Sequence, residues 1–466
     1  MQYWKPAGAD EFAGDMMPFW DGARFRLFYL LDRGHHAEQG GLGGHQWAHA
    51  STPDLVEWTH HPLALPLGAP GSYDQHGICT GAILEHGGAY HAFYATRLRR
   101  PDGSVAEAVC RAAGRDPVHF DKSPDNPLFT APPGLDPRHH RDPFVFRHPE
   151  SGAFHMLVTA AEAGAAPSGQ ERGVLAHYVS DDLARWRFQG PFLPLDDGPS
   201  PECPEHFFWN GWWYLVYSQG AQMRYRVSRG PLGPWGRARR DTIEGRSLGV
   251  PRTAAFTGGR RLAAGFLPWR DGGRDSGDYV YAGSAVFREL IQDASGTLAT
   301  RFAPEMLPRT GPPLPLHRPD APQDGQAPVI VDAETPAARF SDVPADSLLT
   351  LRIVPRPGAG EYGLLLRADA RAGTGYRLAF APDEGRAALQ AWPEGSGRPR
   401  AEASGVEGLD RAVEIVVCLK ESVIDVCLND RHTLIERCFD HRGTHLGLFA
   451  RAGAVRVESL TVRPLL

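Results

Sequence analysis

A chain of 466 residues exceeds the usual size of one domain and is long enough to bury substantial cores without covalent staples. Its formal charge of -6 is spread without long runs of Lys or Arg, which argues against a nucleic-acid or anionic-membrane surface and favours a neutral ligand. With 53 Gly, 41 Pro and 11 Trp, the composition points to many short strands joined by tight turns, and so to an all-β protein.

The opening Met1-Gln2-Tyr3-Trp4-Lys5-Pro6 runs into strand-like sequence without the basic stretch and apolar core of a signal peptide. No later stretch is apolar for long enough to span a bilayer. The six Cys (79, 110, 203, 418, 427, 438) form no CxxC pair or regular framework, which suits reduced thiols. A cytoplasmic location is the expectation.

Five segments then share one pattern, a small polar turn followed by an apolar strand rich in aromatics. They run from Asp21-Gly22 to Phe28-Tyr29, Gly87-Gly88 to Phe93-Tyr94, Ser151-Gly152 to Leu157, Asn210-Gly211 to Val216-Tyr217, and Gly258-Gly259 to Gly265-Phe266. A second echo follows several of them, as in Ser51-Thr52-Pro53-Asp54-Leu55-Val56-Glu57-Trp58 and Ser180-Asp181-Asp182-Leu183-Ala184-Arg185-Trp186. A spacing of roughly 50 to 65 residues lies in the range of propeller repeats. Sheets that cannot bury both faces alone gain by radial stacking, so five repeats predict a five-bladed β-propeller over residues 1–305. A β-sandwich with accidental aromatic spacing is the plainer alternative, and the in-phase double echo speaks against it. Pro/Gly-rich sequence over 306–328 reads as a linker. Alternating strands such as Leu348–Val354 and Val413–Val417 predict a jelly-roll-like β-sandwich over 329–466, expected to act as a buttress rather than a glycan-binding site.

Asp15, Asp142 and Glu202 each fall shortly before the turn and apolar strand of repeats 1, 3 and 4. The first strand of a propeller blade lines the central channel, so residues at this phase converge in one funnel. A lone Asp before a turn is most often a turn cap. Recurrence in phase reverses that reading. Two carboxylates flanking a glycosidic bond supply a nucleophile or base and a proton donor, and their proximity keeps one of them protonated near neutral pH.

Gly14-Asp15-Met16-Met17-Pro18, the run Trp47-Ala48-His49-Ala50-Ser51-Thr52-Pro53-Asp54-Leu55-Val56-Glu57-Trp58, Arg141-Asp142-Pro143 and Glu202-Cys203-Pro204 together resemble glycoside hydrolase family 32, the invertases, levanases and inulinases. The resemblance implies a retaining double displacement on a β-fructofuranoside. Asp15 would be the nucleophile, Glu202 the acid/base and Asp142 the transition-state stabiliser with Arg141 beside it, and no metal or cofactor would be needed. Sugar contacts are further expected from Trp47, Thr80 and Trp269, with Trp209 a weaker candidate, since flat apolar faces of sugar rings pack on indoles and Trp47 lies in a family-like run. Two departures stand out. Gly14 replaces the first Asn of the family's Asn-Asp-Pro-Asn-Gly run, with Met16-Met17 before Pro18, and Cys79-Thr80-Gly81-Ala82 stands where the family has Phe-Ser-Gly-Ser.

Among further candidates, His49, His139, His140 and His206 are expected to hydrogen-bond the acids rather than to bind zinc, and Cys203 to pack. The loop Asp271–Gly277 either rims the funnel or is a plain turn. The expected partner is a small oligosaccharide, with neither nucleic acid nor membrane involved. Two other readings remain: an inverting family 43-like arabinofuranosidase or xylosidase, and a non-catalytic sugar-binding propeller.

Overall fold

The computed structural model describes residues 2–34, 44–164, 171–193, 198–243, 245, 247–316, 329–331, 337–393, 398–451 and 453–466. Of the expected linker, residues 317–328, including Pro319 and Pro322, lie outside the described residues. The chain divides into two compact units. The first comprises Met1–Ile243, Leu248–Pro268 and Tyr281–Leu298; the second comprises Glu244–Ser247, Trp269–Val280 and Ala299–Leu466.

The first unit is the propeller. Blade 1 holds β1 (Glu11–Trp20), β2 (Phe25–Arg33), β3 (Gln46–Thr52) and β4 (Thr59–His60). Blade 2 holds β5 (Ile78–His86), β6 (Ala89–Arg99), β7 (Val105–Gly114), β8 (Asp121–Lys122) and β9 (Phe129–Thr130). In blade 3 lie β10 (Leu135–Arg147), β11 (Phe154–Glu162), β12 (Gly173–Ser180) and β13 (Arg187–Pro191). In blade 4 lie β14 (Glu202–Trp209), β15 (Trp212–Gln219), β16 (Gln222–Ser228) and β17 (Thr242–Ile243). Blade 5 is built on β18 (Gly249–Ala255), β19 (Arg261–Arg270) and β20 (Tyr279–Gln292). Each blade is an antiparallel meander. The first strands close a ring: β1 touches β5, β5 touches β10, β10 touches β14, β14 touches β18, and β18 returns to β1.

The apolar repeats hold this ring because neighbouring residues of a strand face opposite sides. On β6, Tyr94 joins Phe28, Leu30 and Trp47 in the core shared with blade 1, while Phe93 joins Val145, Met156 and Val158 in the core shared with blade 3. On β15, Tyr217 packs with Phe146 and Leu157 of blade 3, and Val216 packs with Ala263 and Leu290 of blade 5. Phe25 closes the circle against Phe256 and Phe287. The second echo is a repeated turn. Thr52 Oγ1 and Ser180 Oγ accept from the N–H groups of Leu55 and Leu183 at 2.9 Å, while Asp54 and Asp182 accept from the two N–H groups that follow.

The second unit contains two antiparallel six-stranded sheets around one apolar core, with Leu349, Leu351 and Ile353 on one sheet and Leu364, Leu378 and Leu448 on the other. This is the β-sandwich. Among the described residues no helix is long and apolar enough to cross a membrane.

Candidate active site

One backbone device recurs in all five blades. The pairing of first and second strands slips between Ala13 and Met16, Ile78 and Gly81, Arg141 and Phe144, Glu202 and Glu205, and Gly249 and Arg252. Each slip sets two residues of the first strand opposite one of the second, which is a β-bulge, and a bulge re-aims side chains and leaves backbone groups unpaired. The bulge residues are Gly14-Asp15, Cys79-Thr80, Asp142-Pro143, Cys203-Pro204 and Val250-Pro251. In the last three, the first residue takes a positive φ (55° at Asp142, 51° at Cys203, 31° at Val250), and Pro, which has no N–H to pair, fills the second place. The three acids therefore occupy successive positions rather than one: Glu202 just before its bulge, Asp142 first in its bulge, Asp15 second.

Polar contacts join them. Asp15 Oδ1 accepts from the Tyr281 hydroxyl at 2.9 Å, and its Oδ2 accepts from the Thr80 hydroxyl at 2.5 Å. Asp142 is 3% exposed, and its Oδ2 accepts from the Cys203 N–H at 3.0 Å with the Thr159 hydroxyl 3.1 Å away. Arg141 ties Asp142 to Glu202. Its Nη2 donates to Glu202 Oε1 at 3.0 Å, its Nη1 to Glu107 Oε2 at 3.4 Å, and its Nε lies 3.8 Å from Asp142 Oδ2. Glu107 is buried and also pairs with Arg97 at 3.2 Å and with the His140 N–H at 2.9 Å. Glu202 is the accessible acid, its side chain 45% exposed.

Charge follows burial. Desolvation raises the Asp142 carboxyl above its ordinary value, against the pull of Arg141, and Asp15 adds to the rise. Desolvation likewise raises Glu202, again opposed by Arg141 and assisted by Asp142 and Asp15. Burial alone would lower the Arg141 guanidinium, but Asp142, Glu107 and Glu202 outweigh it, so the cation is secure. The arrangement offers a carboxyl group oriented by two hydroxyls, a buried carboxyl beside a cation, and an accessible carboxyl biased toward its protonated form.

Several expectations need correction. Trp47 is no sugar-stacking wall: it is 0% exposed, its ring lies in the core of blades 1 and 2, and its Nε1 donates to the Cys79 carbonyl at 2.9 Å. Thr80, 1% exposed, spends its hydroxyl on Asp15, so its link to substrate is indirect. Trp269 belongs to the second unit, packed edge-on against Phe439 and beneath the Arg437 guanidinium. Trp209 clamps blades 4 and 5 by donating to the Gly259 carbonyl at 3.0 Å. The Asp271–Gly277 loop is also in the second unit, where Asp275 accepts from the Tyr376 hydroxyl and the Phe439 N–H, each at 2.7 Å.

Nor do three of the histidines bond the acids. His140 pairs with the Tyr178 hydroxyl at 2.8 Å, His206 donates to the Pro231 carbonyl at 2.7 Å, and His49 stacks between Phe28 and His61. His139 alone lies close, its Nδ1 accepting from Arg141 at 3.3 Å. Cys203 is buried, and desolvation pushes its thiol far up, which suits packing and not nucleophilic attack. Sequence reading missed Tyr281, Glu107 and Thr159. Of these, Thr159 carried a signal of its own, as a hydroxyl on the apolar strand facing Arg141.

Fold and site together define a carboxylate-bearing five-bladed propeller with an appended sandwich. Residues 17–233 match the family model described as Glycosyl hydrolases family 32 N-terminal domain, which takes in the Asp142 and Glu202 motifs and begins two residues after Asp15. Sucrose-6-phosphate hydrolase of Escherichia coli is 27% identical over 304 residues, 60% of this chain and 60% of that protein. The Bacillus subtilis (strain 168) enzyme of the same name is 31% identical over 187 residues, 39% of this chain and 36% of that one. The chain thus spans less than two thirds of either relative. Among solved structures, sucrose-6-phosphate hydrolase from Lactobacillus gasseri superposes with a TM-score of 0.73 at 18% identity, covering 100% of this chain and 93% of that one. Fructan 1-exohydrolase IIa from Cichorium intybus gives 0.74 at 14%, covering 100% and 97%. These matches support a divergent member of glycoside hydrolase family 32.

Proposed function

We propose that this protein is a glycosidase that cleaves a β-fructofuranoside in a small oligosaccharide by retaining double displacement, with its catalytic machinery in residues 1–305. The observation that carries the reading is the bridging of Asp142 and Glu202 by Arg141 while Asp15 is held by two hydroxyl donors. Asp15, oriented by those donors, attacks the anomeric carbon and forms a glycosyl-enzyme. Glu202, biased toward its protonated form and accessible to a leaving group, protonates the departing oxygen; as a carboxylate it then removes a proton from the water that releases the sugar. Asp142 is fixed by the Cys203 N–H and neutralised by Arg141, and it stabilises positive charge developing on the ring. The relatives named for sucrose-6-phosphate and fructan hydrolysis support this substrate class. Six buried cysteines outside any disulfide support action in a reducing cytoplasm.

The test is a panel of sucrose, kestose, inulin and levan fragments and an aryl β-fructofuranoside, run on the native protein, Asp15→Asn and Glu202→Gln. Turnover lost by about 1,000-fold or more in both variants is expected, with the β-anomer of fructose seen first by NMR. A panel without turnover, or native-like turnover by Asp15→Asn, overturns the proposal. Release of the α-anomer transfers the protein to an inverting mechanism.

A further inference from the structure

Tyr281 lies 266 positions from Asp15 in sequence, on the third strand of blade 5, yet it touches that carboxylate from the far side of the propeller ring. Its hydroxyl stands in a closed clamp. The Asp15 N–H donates to the phenol oxygen at 3.2 Å, and the phenol proton is donated to Oδ1 of the same residue at 2.9 Å. A phenol carries one proton, so the same oxygen accepts from the Asp15 N–H while its proton is donated to the Asp15 carboxyl group. The two bonds fix the side chain of Asp15 relative to its own backbone.

The surroundings are built to hold this ring. Desolvation, reinforced by Asp15, raises the Tyr281 hydroxyl far above its ordinary value, so it stays a donor across the working pH range. His45 packs on one side of the ring at 5.1 Å and is anchored by Asp32 at 3.1 Å, while Phe266 meets it edge-on at 5.1 Å. β20 is bent at this point: Ala282 has φ 64°, a region that non-glycine residues rarely adopt. Gly14 supplies the space. A Cβ there would overlap the Tyr281 hydroxyl and lie 2.6 Å from its ring carbon Cζ, yet the Gly14 backbone is not in the left-handed region. Glycine is thus required at 14 for room and not for conformation. Gly249 does the same one layer out, since a side chain there would overlap the Phe266 ring that backs Tyr281.

We propose that Tyr281 is the positioning residue of Asp15, setting the orientation of its carboxyl group, and that the glycine at position 14 is the vacancy that admits it. The family-like sequence around Asp15 departs at Gly14, and the phenol accounts for that departure by taking the room an Asn side chain would fill. This inference deepens the proposed function and rests on Asp15 being the attacking group.

Tyr281→Phe keeps the ring, and with it the packing of His45 and Phe266, but removes the donor. The expected result is a kcat about 10- to 100-fold lower with KM within about threefold. The carboxyl-carbon NMR resonance of Asp15, assigned by its absence in Asp15→Asn, should move from its native position at constant pH, a reading that does not depend on turnover. Gly14→Ala, which evicts the phenol, should lose kcat to a similar degree in a protein that still melts cooperatively. An unmoved Asp15 resonance in Tyr281→Phe, or a Gly14→Ala enzyme with native kcat, overturns the proposal. If Asp15→Asn retains turnover while the resonance still moves, the mechanism fails and the positioning role stands.

Discussion

Replacing Arg141 by Met removes the cation shared by three carboxyl groups, and the cost can be apportioned. Glu202 is 45% exposed and rehydrates, so it contributes little. Glu107 keeps Arg97 and the His140 N–H. The loss therefore falls on Asp142, whose burial leaves it two hydrogen-bond donors and no neighbouring cation. Breaking a buried pair in this way costs about 3 to 5 kcal/mol, and the 3.8 Å separation with retained donors places it near the lower figure.

Protonation of Asp142 limits the damage. Neutralising a carboxyl of ordinary value 3.8 costs about 4 kcal/mol at pH 7 and under about 2 kcal/mol at pH 5. The sign follows: with the folded-state value raised above 3.8, the full penalty applies above that raised value and fades as the pH falls to 3.8. For a propeller of roughly 280 residues, ~3 kcal/mol corresponds to about 5 °C in Tm, so the expected decrease is about 5 °C at pH 7 and under about 3 °C at pH 5. Scanning calorimetry of the native and variant proteins at the two pH values at one ionic strength measures it. An equal decrease at both, or none at pH 7, refutes the reasoning.

Two further outcomes follow from the same geometry. Thr80→Val keeps volume but removes the donor on Oδ2, so kcat should fall by about 3- to 10-fold with KM nearly retained; a native kcat would show that the 2.5 Å contact does not act on Asp15. Trp47→Ala should cost about 3 to 5 kcal/mol of stability by opening the core of blades 1 and 2. Trp47→Phe should leave KM unchanged, and a several-fold rise in KM at native Tm would restore the discarded stacking role.

The propeller was legible because its information is local and repeated. Pairs such as Phe93-Tyr94 announce a strand with two buried faces, and the structure uses each member against a different neighbouring blade. Asp142 and Glu202 were legible through short motifs whose Pro fills a bulge. What those motifs did not convey was direction. Trp47 sits in a family-like run and still points into the core, because a strand alternates faces and register decides which face a residue takes. Tyr281 left no mark around Asp15, since its contact depends on the ring closing across 266 positions. The one local trace was its complement, a glycine where a side chain was expected.

The five bulges separate where a group is held from what the group is. Each blade offers the same two-residue platform at the same level, and the strands behind it are indifferent to whether that platform carries Asp, Thr, Cys or Val. Chemistry can therefore be exchanged among blades by single substitutions, while deleting one platform residue would erase the bulge, leave the flanking pairs in register and withdraw the re-aimed side chain.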